Sequence, residues 1–128
     1  MILRRFTVII LALSASDVGA QQVTVPSGLE IELYDVILEP DANIARFRFR
    51  VPAIGGDAGV TFAEALPDIQ YLCDDVVIPS LAQNGWTDGE IVISLSNKEV
   101  AFGVASPDVV QYFQPFSIQA GACMWEDF

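Results

Sequence analysis

The sequence predicts an α+β domain: a mainly antiparallel sheet with one main amphipathic helix packed on one face, and a second short helix. Two observations predict it. Several short segments alternate strictly between apolar and polar residues, and one longer segment carries an apolar stripe at helical spacing. In addition, the two cysteines of the chain fall on that helical stripe and on the last alternating segment.

The first twenty residues have the layout of a secretory signal peptide. Two arginines precede an apolar run that ends at Leu13, and small residues follow up to Ala20. A membrane anchor is the alternative, but spanning the hydrocarbon takes roughly 20 apolar residues and this run is far shorter. We therefore expect residues 1–20 to be a signal peptide cleaved before Gln21. The mature protein would be one α+β domain over 21–128, periplasmic or secreted.

The charge balance limits the classes of partner. The chain has 17 acidic and 6 basic side chains; removing Asp17, Arg4 and Arg5 with the signal leaves 16 against 4, a net charge of −12. Such a domain repels nucleic acid and anionic lipid surfaces, so we expect neither nucleic acid binding nor membrane insertion after signal removal. An unknown protein or a small ligand remains as the partner, although net negative charge also serves solubility alone. The oligomeric state stays open.

Two alternating segments, near 29–38 and 43–51, predict an antiparallel hairpin joined by a turn at 39–42. The expected register pairs Leu33 with Phe47, Ile31 with Phe49, Glu32 with Arg48 and Glu30 with Arg50. The first two pairs would then lie in the core, and the two charged pairs would lie on the opposite face.

An apolar stripe at positions i, i+3, i+4, i+7 and i+8 predicts the main helix. Its members are Ile69, Leu72, Cys73, Val76 and Val77. The aspartates expected off this stripe are Asp68, Asp74 and Asp75. We expect the helix to begin near Pro67, after a short strand at 60–62, and to be limited by Pro79. Alternatively, the capping-box spacing of Thr61 and Glu64 predicts an earlier start, with a kink at Pro67.

The C-terminal third predicts a strand, the second short helix and a final hairpin. The strand covers 91–96, and the sequence Ser106-Pro107-Asp108 predicts a helix that runs to about Phe113, before Pro115. The final hairpin, 116–126, would turn at Ala120-Gly121. The inward-facing residues of this hairpin are expected to pair as Phe116 with Trp125 and Ile118 with Cys123.

Cys73 and Cys123 are the only cysteines, and in an exported chain an even number indicates a disulfide. A metal site would need more soft ligands, and a catalytic thiol would need a histidine, but the chain contains no histidine. The two predicted elements, helix stripe and final hairpin, also place these cysteines for bonding. The sequence therefore predicts a structural Cys73–Cys123 bridge and neither a metal nor a cofactor.

The absence of histidine also limits catalysis. No Ser-His-Asp or Cys-His arrangement is possible, and the single lysine, Lys98, lies in a predicted turn where its amine would stay solvated. The sequence therefore predicts a binding or interaction domain of the bacterial envelope that is not an enzyme. The alternative is a small histidine-free hydrolase or lyase that uses carboxylates.

Arg46, Arg48 and Arg50 are the candidate binding residues. They hold three of the four cations of the mature chain on one strand face, at a spacing of about 7 Å. Three guanidinium groups in a row could bind an anionic ligand or an acidic partner. The alternative is that Glu30 and Glu32 neutralise them across the hairpin, each pair contributing about 0.2–1 kcal/mol.

Several segments together resemble an uncharacterised family of short exported alphaproteobacterial proteins, a domain of unknown function. The segments that carry the resemblance are Tyr71-Leu72-Cys73, Ile91 to Ser96, Phe102-Gly103, Gln111-Tyr112-Phe113 and Gly121 to Phe128. The resemblance covers essentially the whole mature chain. It implies a bacterial envelope address and no particular activity, because the shared motifs are structural.

Overall fold

The computed structural model describes residues 20–57 and 59–127. In chain order its elements are β1 (Gln21–Val23), β2 (Ile31–Glu39), β3 (Ile44–Arg50), α1 (Phe62–Tyr71), a π-helical segment (Leu72–Val77), α2 (Ile78–Ala82), β4 (Glu90–Ser96), β5 (Gln111–Gln119) and β6 (Ala122–Trp125). The strands form one sheet in the order of the chain. All neighbouring strands are antiparallel except β3 and β4, which run parallel on either side of the helical crossover. The predicted α+β class and mainly antiparallel sheet are confirmed. The predicted signal peptide, up to Gly19, lies outside the described residues.

The helices cover one face of the sheet and bury its apolar side chains. Alternate residues of the central strands point to this face and are fully buried, among them Phe49, Ile91, Ile93 and Phe116. They form one core with Ile69, Leu72, Cys73 and Val77 of the predicted helix stripe. The opposite face carries the three arginines of β3 and is called the arginine face below.

Cys73 of the π-helical segment is bonded to Cys123 of β6 in the structure, with Cα atoms 6.1 Å apart. Both cysteines are buried. The disulfide therefore joins the helical layer to the last strand of the sheet, as the two independent patterns predict.

The first hairpin forms between β2 and β3, but its register differs from the predicted one. The observed pairs are Glu32 with Arg50, Leu33 with Phe49, Asp35 with Arg48, Val36 with Phe47, Ile37 with Arg46, Leu38 with Ala45 and Glu39 with Ile44. All four predicted pairs are therefore wrong. The connection lies one residue later than the predicted turn, because a 3-10 turn at Pro40–Ala42 is followed by Asn43 in the left-handed conformation, and Glu39 then pairs with Ile44.

A β-bulge at Tyr34 shifts the ladder again between Leu33 and Asp35. Two consecutive residues, Tyr34 and Asp35, then contact Arg48 on the arginine face. The alternation resumes one residue later, so that Val36 lies opposite Phe47. The bulge gives Arg48 a carboxylate partner that strict alternation would have turned to the other face.

The helix begins earlier than Pro67. Thr61 is its N-cap: the Thr61 hydroxyl accepts from the Glu64 backbone N–H at 3.1 Å, and the Glu64 carboxylate accepts from the Thr61 N–H at 2.9 Å. The alternative prediction of a capping box is confirmed. The start near Pro67 and the short strand at 60–62 are wrong, since only Val60 forms an isolated bridge, with Ile54.

The helical region also continues past Pro79, which was expected to limit it. The π-helical segment precedes Pro79, and there the N–H of Ile78 bonds to the carbonyl of Cys73, five residues back. Pro79 then falls in the first turn of α2, where its missing N–H is tolerated. The helical region therefore ends only at Ala82.

Two of the three aspartates expected off the helix stripe have partners elsewhere in the fold. Asp68 is buried and accepts a hydrogen bond from the Ser27 hydroxyl at 2.5 Å. Asp74 accepts from the backbone N–H of Cys123 at 2.8 Å. Asp75 is exposed, as expected. The helix thus uses two carboxylates to hold the segment before β2 and the last strand.

The second short helix, predicted from Ser106 to about Phe113, is wrong. The N–H of Val109 bonds to the carbonyl of Ser106, so the Ser-Pro pair forms a turn, and β5 begins at Gln111. In the described chain the short second helix is instead the 3-10 turn at Pro40–Ala42. Pairing of β5 with strands on both sides overrides the local helix signal.

Pro115 lies inside β5, although it lacks the N–H that a central strand normally donates. The N–H of Glu126 donates to the Pro115 carbonyl at 3.1 Å, but Pro115 cannot return that bond. The buried side-chain amide of Gln114 donates to the Glu126 carbonyl at 2.9 Å instead. A neighbouring side chain thereby replaces the missing backbone donor.

The final hairpin has the predicted register. Phe116 pairs with Trp125 and Ile118 with Cys123. These side chains face the helices as predicted: Cys123 is buried, and Trp125, although 45% exposed at the sheet edge, packs its ring against Phe116 and against Phe62 of α1.

Candidate functional site

The alternation of β3 places the three predicted arginines on the arginine face, each beside its own carboxylate. The ion pairs are Arg46 with Glu39 at 2.8 Å, Arg48 with Asp35 at 2.7 Å and Arg50 with Glu32 at 2.5 Å. The stripe is neutralised across the hairpin, as the alternative predicts, but Glu30 and Glu32 both bind Arg50 and do not reach the other two arginines. The three guanidinium groups consequently have different environments.

Arg48 is a structural residue that fastens a loop to the sheet. It is 8% exposed, and its second terminal nitrogen donates to the carbonyl of Val100 at 3.0 Å. Its guanidinium carbon also lies 5.2 Å from the ring centre of Tyr34 and 5.5 Å from that of Phe102. These contacts use both ends of the Arg48 guanidinium and leave it little capacity for a ligand.

Arg50 lies away from the loop and is neutralised by two acids. Glu32 accepts from its Nε and from one terminal nitrogen, and Glu30 lies 3.4 Å from the same terminal nitrogen. The hydrogen bond to Glu32 raises the pKa of Arg50, and the charges of Glu32 and Glu30 add to this. Arg50 is therefore permanently charged and already neutralised.

Arg46 differs from both in how its terminal nitrogens are used, since both donate in Arg48 and one donates in Arg50. Only its Nε donates to Glu39, and its guanidinium carbon lies 5.5 Å from the ring centre of Phe102. Within residues 20–57 and 59–127, neither terminal nitrogen of Arg46 has a hydrogen-bond partner. A guanidinium carries five N–H donors, so Arg46 retains four.

The loop between β4 and β5 folds over the arginine face and is called the 97–110 loop. Asn97 and Val110 close its base, because the N–H of Asn97 donates to the Val110 carbonyl at 3.1 Å and the Asn97 side chain accepts from the Val110 N–H at 3.0 Å. A turn at 101–104 includes Gly103, whose φ of +79° favours glycine. The loop is thus fixed at its base and at Val100.

A groove of about 400 Å³ lies between this loop and the sheet, and is called the arginine-face groove. Its lining is mostly apolar: Val92, Val100, Ala101, Phe102, Gly103, Val104, Ala105 and Phe113, with Arg46, Arg48, Ser94 and Gln111 as the polar residues. Three large apolar side chains of this lining remain exposed, Phe102 at 53%, Val104 at 56% and Phe113 at 44%. Clustered exposed apolar side chains of this kind are typical of an interaction surface.

Of the predicted binding residues, the structure brings Arg46 and Arg48 to the groove and leaves Arg50 outside it. Sequence reasoning missed the loop residues Phe102 and Val104 and the strand residue Phe113. The run from Val100 to Ala105 carries a signal that could have identified them. This run is mostly apolar, but turn residues flank it closely. A buried strand would be too short to account for it, so an apolar loop on the surface is the remaining explanation.

A smaller carboxylate cluster lies near the start of α1. Asp68, which accepts from the Ser27 hydroxyl, shares a cavity of about 300 Å³ with the exposed Glu64. The Glu64 carboxylate is used by the capping box, and hydrogen bonds from the Thr61 backbone N–H and hydroxyl lower its pKa. Both acids therefore stabilise local structure.

The described part of the chain was also searched for membrane-spanning helices and for clusters of metal ligands. No helix within residues 20–57 and 59–127 is long and apolar enough to cross a membrane. In the same ranges, no three side chains of the types His, Cys, Asp or Glu converge as metal ligands would.

Comparison with known families gives one match. A family model described as a family of unknown function, DUF6497, matches residues 9–128. The chain belongs to DUF6497. The predicted membership of an uncharacterised family is thereby confirmed, while the bacterial envelope address remains a prediction.

The DUF6497 match covers every element of the sheet and the whole arginine-face groove. No curated protein and no solved structure matches the chain. The family description assigns no activity, so a function for this DUF6497 chain has to be argued from the groove itself.

Proposed function

We propose that residues 21–128 form an exported, non-catalytic binding domain of the bacterial envelope that holds its ligand in the arginine-face groove. The observation that carries this proposal is the combination of three exposed apolar side chains, Phe102, Val104 and Phe113, with the unused donors of Arg46. Apolar walls with a few convergent polar groups are typical of ligand sites.

Two features support the export part of the proposal. The N-terminal twenty residues have the three-part layout of a signal peptide. Cys73 and Cys123 are joined in the structure, and disulfides form and persist mainly in oxidising compartments such as the periplasm.

The chemistry around the groove supports binding rather than turnover. Asp35 and Glu39, the acids nearest its arginines, are held in ion pairs with Arg48 and Arg46. The sequence contains no histidine, the side chain whose ordinary pKa suits acid–base catalysis near neutral pH. A hydrolase or lyase that uses carboxylates is the competing hypothesis.

The test uses the oxidised 21–128 domain, immobilised and exposed to envelope extract, with retained small molecules identified by mass spectrometry. We expect Val104→Ser with Phe113→Ser to abolish retention. Val36→Ser with Leu38→Ser is the matched control, because these two side chains are equally exposed but lie outside the groove. Equal retention by the groove variant would exclude the groove as the site. Turnover that is lost on mutation of one Asp or Glu would contradict the non-catalytic assignment.

A further inference from the structure

We infer that the ligand of the arginine-face groove is an amphipathic monocarboxylate, with its carboxylate on the terminal nitrogens of Arg46 and its apolar chain along the groove. This inference rests on the proposed binding function and adds the chemical class of the ligand. It assigns different roles to three arginines that look equivalent in the sequence.

The anion site is the free end of the Arg46 guanidinium. Glu39 occupies the Nε edge at 2.8 Å, which leaves the two terminal nitrogens as a fork. A guanidinium fork matches the two oxygens of a carboxylate and can donate two parallel hydrogen bonds. Glu39 and the cation–π contact with Phe102 hold this fork in place at the groove.

The charge of the surroundings favours an anion with a single charge. Arg46 is the groove-lining cation of the described chain whose two terminal nitrogens are both without a partner, and Glu39 already balances part of its charge. A phosphate dianion would bring two negative charges to a mature domain whose net charge is −12, and Arg48, the other arginine of the groove, already uses both terminal nitrogens. A monocarboxylate brings one charge and uses both terminal nitrogens.

The apolar lining selects the body of the ligand. Val92, Val104 and Phe113 line the groove, and few of the other lining residues are polar. A volume of about 400 Å³ is at the small end of ligand pockets, which suits one acyl chain rather than a bulky lipid. Burial of a methylene contributes about 0.8 kcal/mol, so affinity should rise about fourfold for each added carbon until the groove is full.

The experiment is calorimetric titration of the oxidised 21–128 domain with decanoate, below its micellar concentration. Decan-1-ol is the uncharged match for the chain, acetate is the head group alone, and octanoate and dodecanoate give the length series. We expect decanoate to bind, decan-1-ol to bind at least about tenfold more weakly, and acetate to give no heat of binding. Hydrogen bonds to charged groups have about this magnitude.

The variants test the residue assignment. Arg46→Gln should weaken decanoate about tenfold or more and leave decan-1-ol unchanged. Arg50→Gln is the matched control, because it removes a cation from the same strand face but outside the groove. Arg46→Lys keeps the charge and loses the fork, so it should recover only part of the affinity. Circular dichroism of each variant verifies the fold.

The outcomes separate this inference from the proposed function. Equal affinity for decanoate and decan-1-ol, or an equal loss in Arg46→Gln and Arg50→Gln, would overturn the carboxylate assignment while the groove could still retain another ligand from extract. If the wild-type domain retains nothing from extract and binds no probe, the proposed function itself fails.

Discussion

Asp74 and Gln70, one turn apart on the helix, hold the backbone of Cys123 at both of its polar groups. The Asp74 carboxylate accepts from the Cys123 N–H at 2.8 Å, and the Gln70 amide donates to the Cys123 carbonyl at 3.0 Å. Gln70 also donates to Asp74 at 3.0 Å. The last strand is therefore attached to the helix by a hydrogen-bonded clamp as well as by the disulfide of Cys123 with Cys73.

Because of the clamp, we expect Asp74→Ala to lower the stability of the protein substantially. The variant leaves the Cys123 N–H without its acceptor, so we expect the free energy of unfolding to fall by about 1.5–3 kcal/mol, the range for hydrogen bonds to charged groups. Asp75→Ala is the matched control, since Asp75 is exposed on the next residue and should change stability by less than about 0.5 kcal/mol. Urea unfolding of the oxidised proteins measures both. Equal effects at the two positions would contradict the clamp.

Removal of the disulfide should cost more than loss of the clamp. Cys73 and Cys123 are 50 residues apart, for which the chain-entropy model gives about 4 kcal/mol. We expect the double variant Cys73→Ala with Cys123→Ala to lose about this amount in urea unfolding. Thiol titration of the folded wild-type protein, purified without reductant, provides the control, and two free thiols would show that the bridge does not form.

Two of the acid–arginine pairs differ in burial, and their removal should change the stability of the protein by different amounts. Asp35→Ala leaves the almost buried Arg48 without its carboxylate, and we expect a loss of about 1.5–3 kcal/mol. Glu30 is well exposed and shares Arg50 with Glu32, so Glu30→Ala should change stability by less than about 0.5 kcal/mol. Chemical unfolding at low and high salt distinguishes them, because only an exposed pair is strongly screened.

The capping box makes part of the stability depend on pH. Hydrogen bonds from Thr61 lower the pKa of Glu64 in the folded protein. A carboxylate with a lowered folded pKa stabilises the protein above its unfolded pKa, and this contribution is lost as pH falls through the folded pKa. We expect the wild type to be more stable than Glu64→Gln at pH 6, with a difference that shrinks toward pH 3. A difference that is constant or grows over that range would refute the assignment.

The side chain of Gln114 should stabilise the C-terminal strand β6 against local opening. In Gln114→Leu the Glu126 carbonyl loses its donor, and Pro115 has no N–H to replace it. We expect a loss of about 1 kcal/mol and faster amide hydrogen exchange in β6, with Gln119→Leu, at an exposed position of the same strand, as the control. Unchanged exchange in β6 would show that the replacement bond is unimportant.

The alternating patterns were sufficient for the fold class and for the last hairpin, because the turn at Ala120-Gly121 fixes that register. They were insufficient for the first hairpin. Strict alternation from Leu33 turns Asp35 toward the core, and only the bulge at Tyr34 brings Asp35 to Arg48. A bulge depends on the partner strand, so a period-two pattern in one segment does not contain it.

The helix and the candidate site were also only partly predictable from local sequence patterns. The spacing of Thr61 and Glu64 predicted the capping box as an alternative start of the helix. The π-helical turn before Pro79 depends on how the helix packs, so the sequence pattern did not predict it. The arginines were identified because cations are rare in the chain. Among the described residues, Arg46 is distinguished by two terminal nitrogens without a partner. This difference depends on the 97–110 loop and on the register of β2, neither of which a local pattern contains.

The parallel contact between β3 and β4 has a consequence for the order of folding. Every other pair of neighbouring strands is adjacent in the chain, so 21–50 and 90–125 can each form a three-stranded meander from local contacts. Ile44 and Glu90, the first pair of the parallel ladder, are 46 residues apart. Closing that connection costs about 2 kcal/mol more in loop entropy than closing a four-residue turn. We therefore expect the two meanders to form early and their union through the helix to limit the rate at which the sheet is completed.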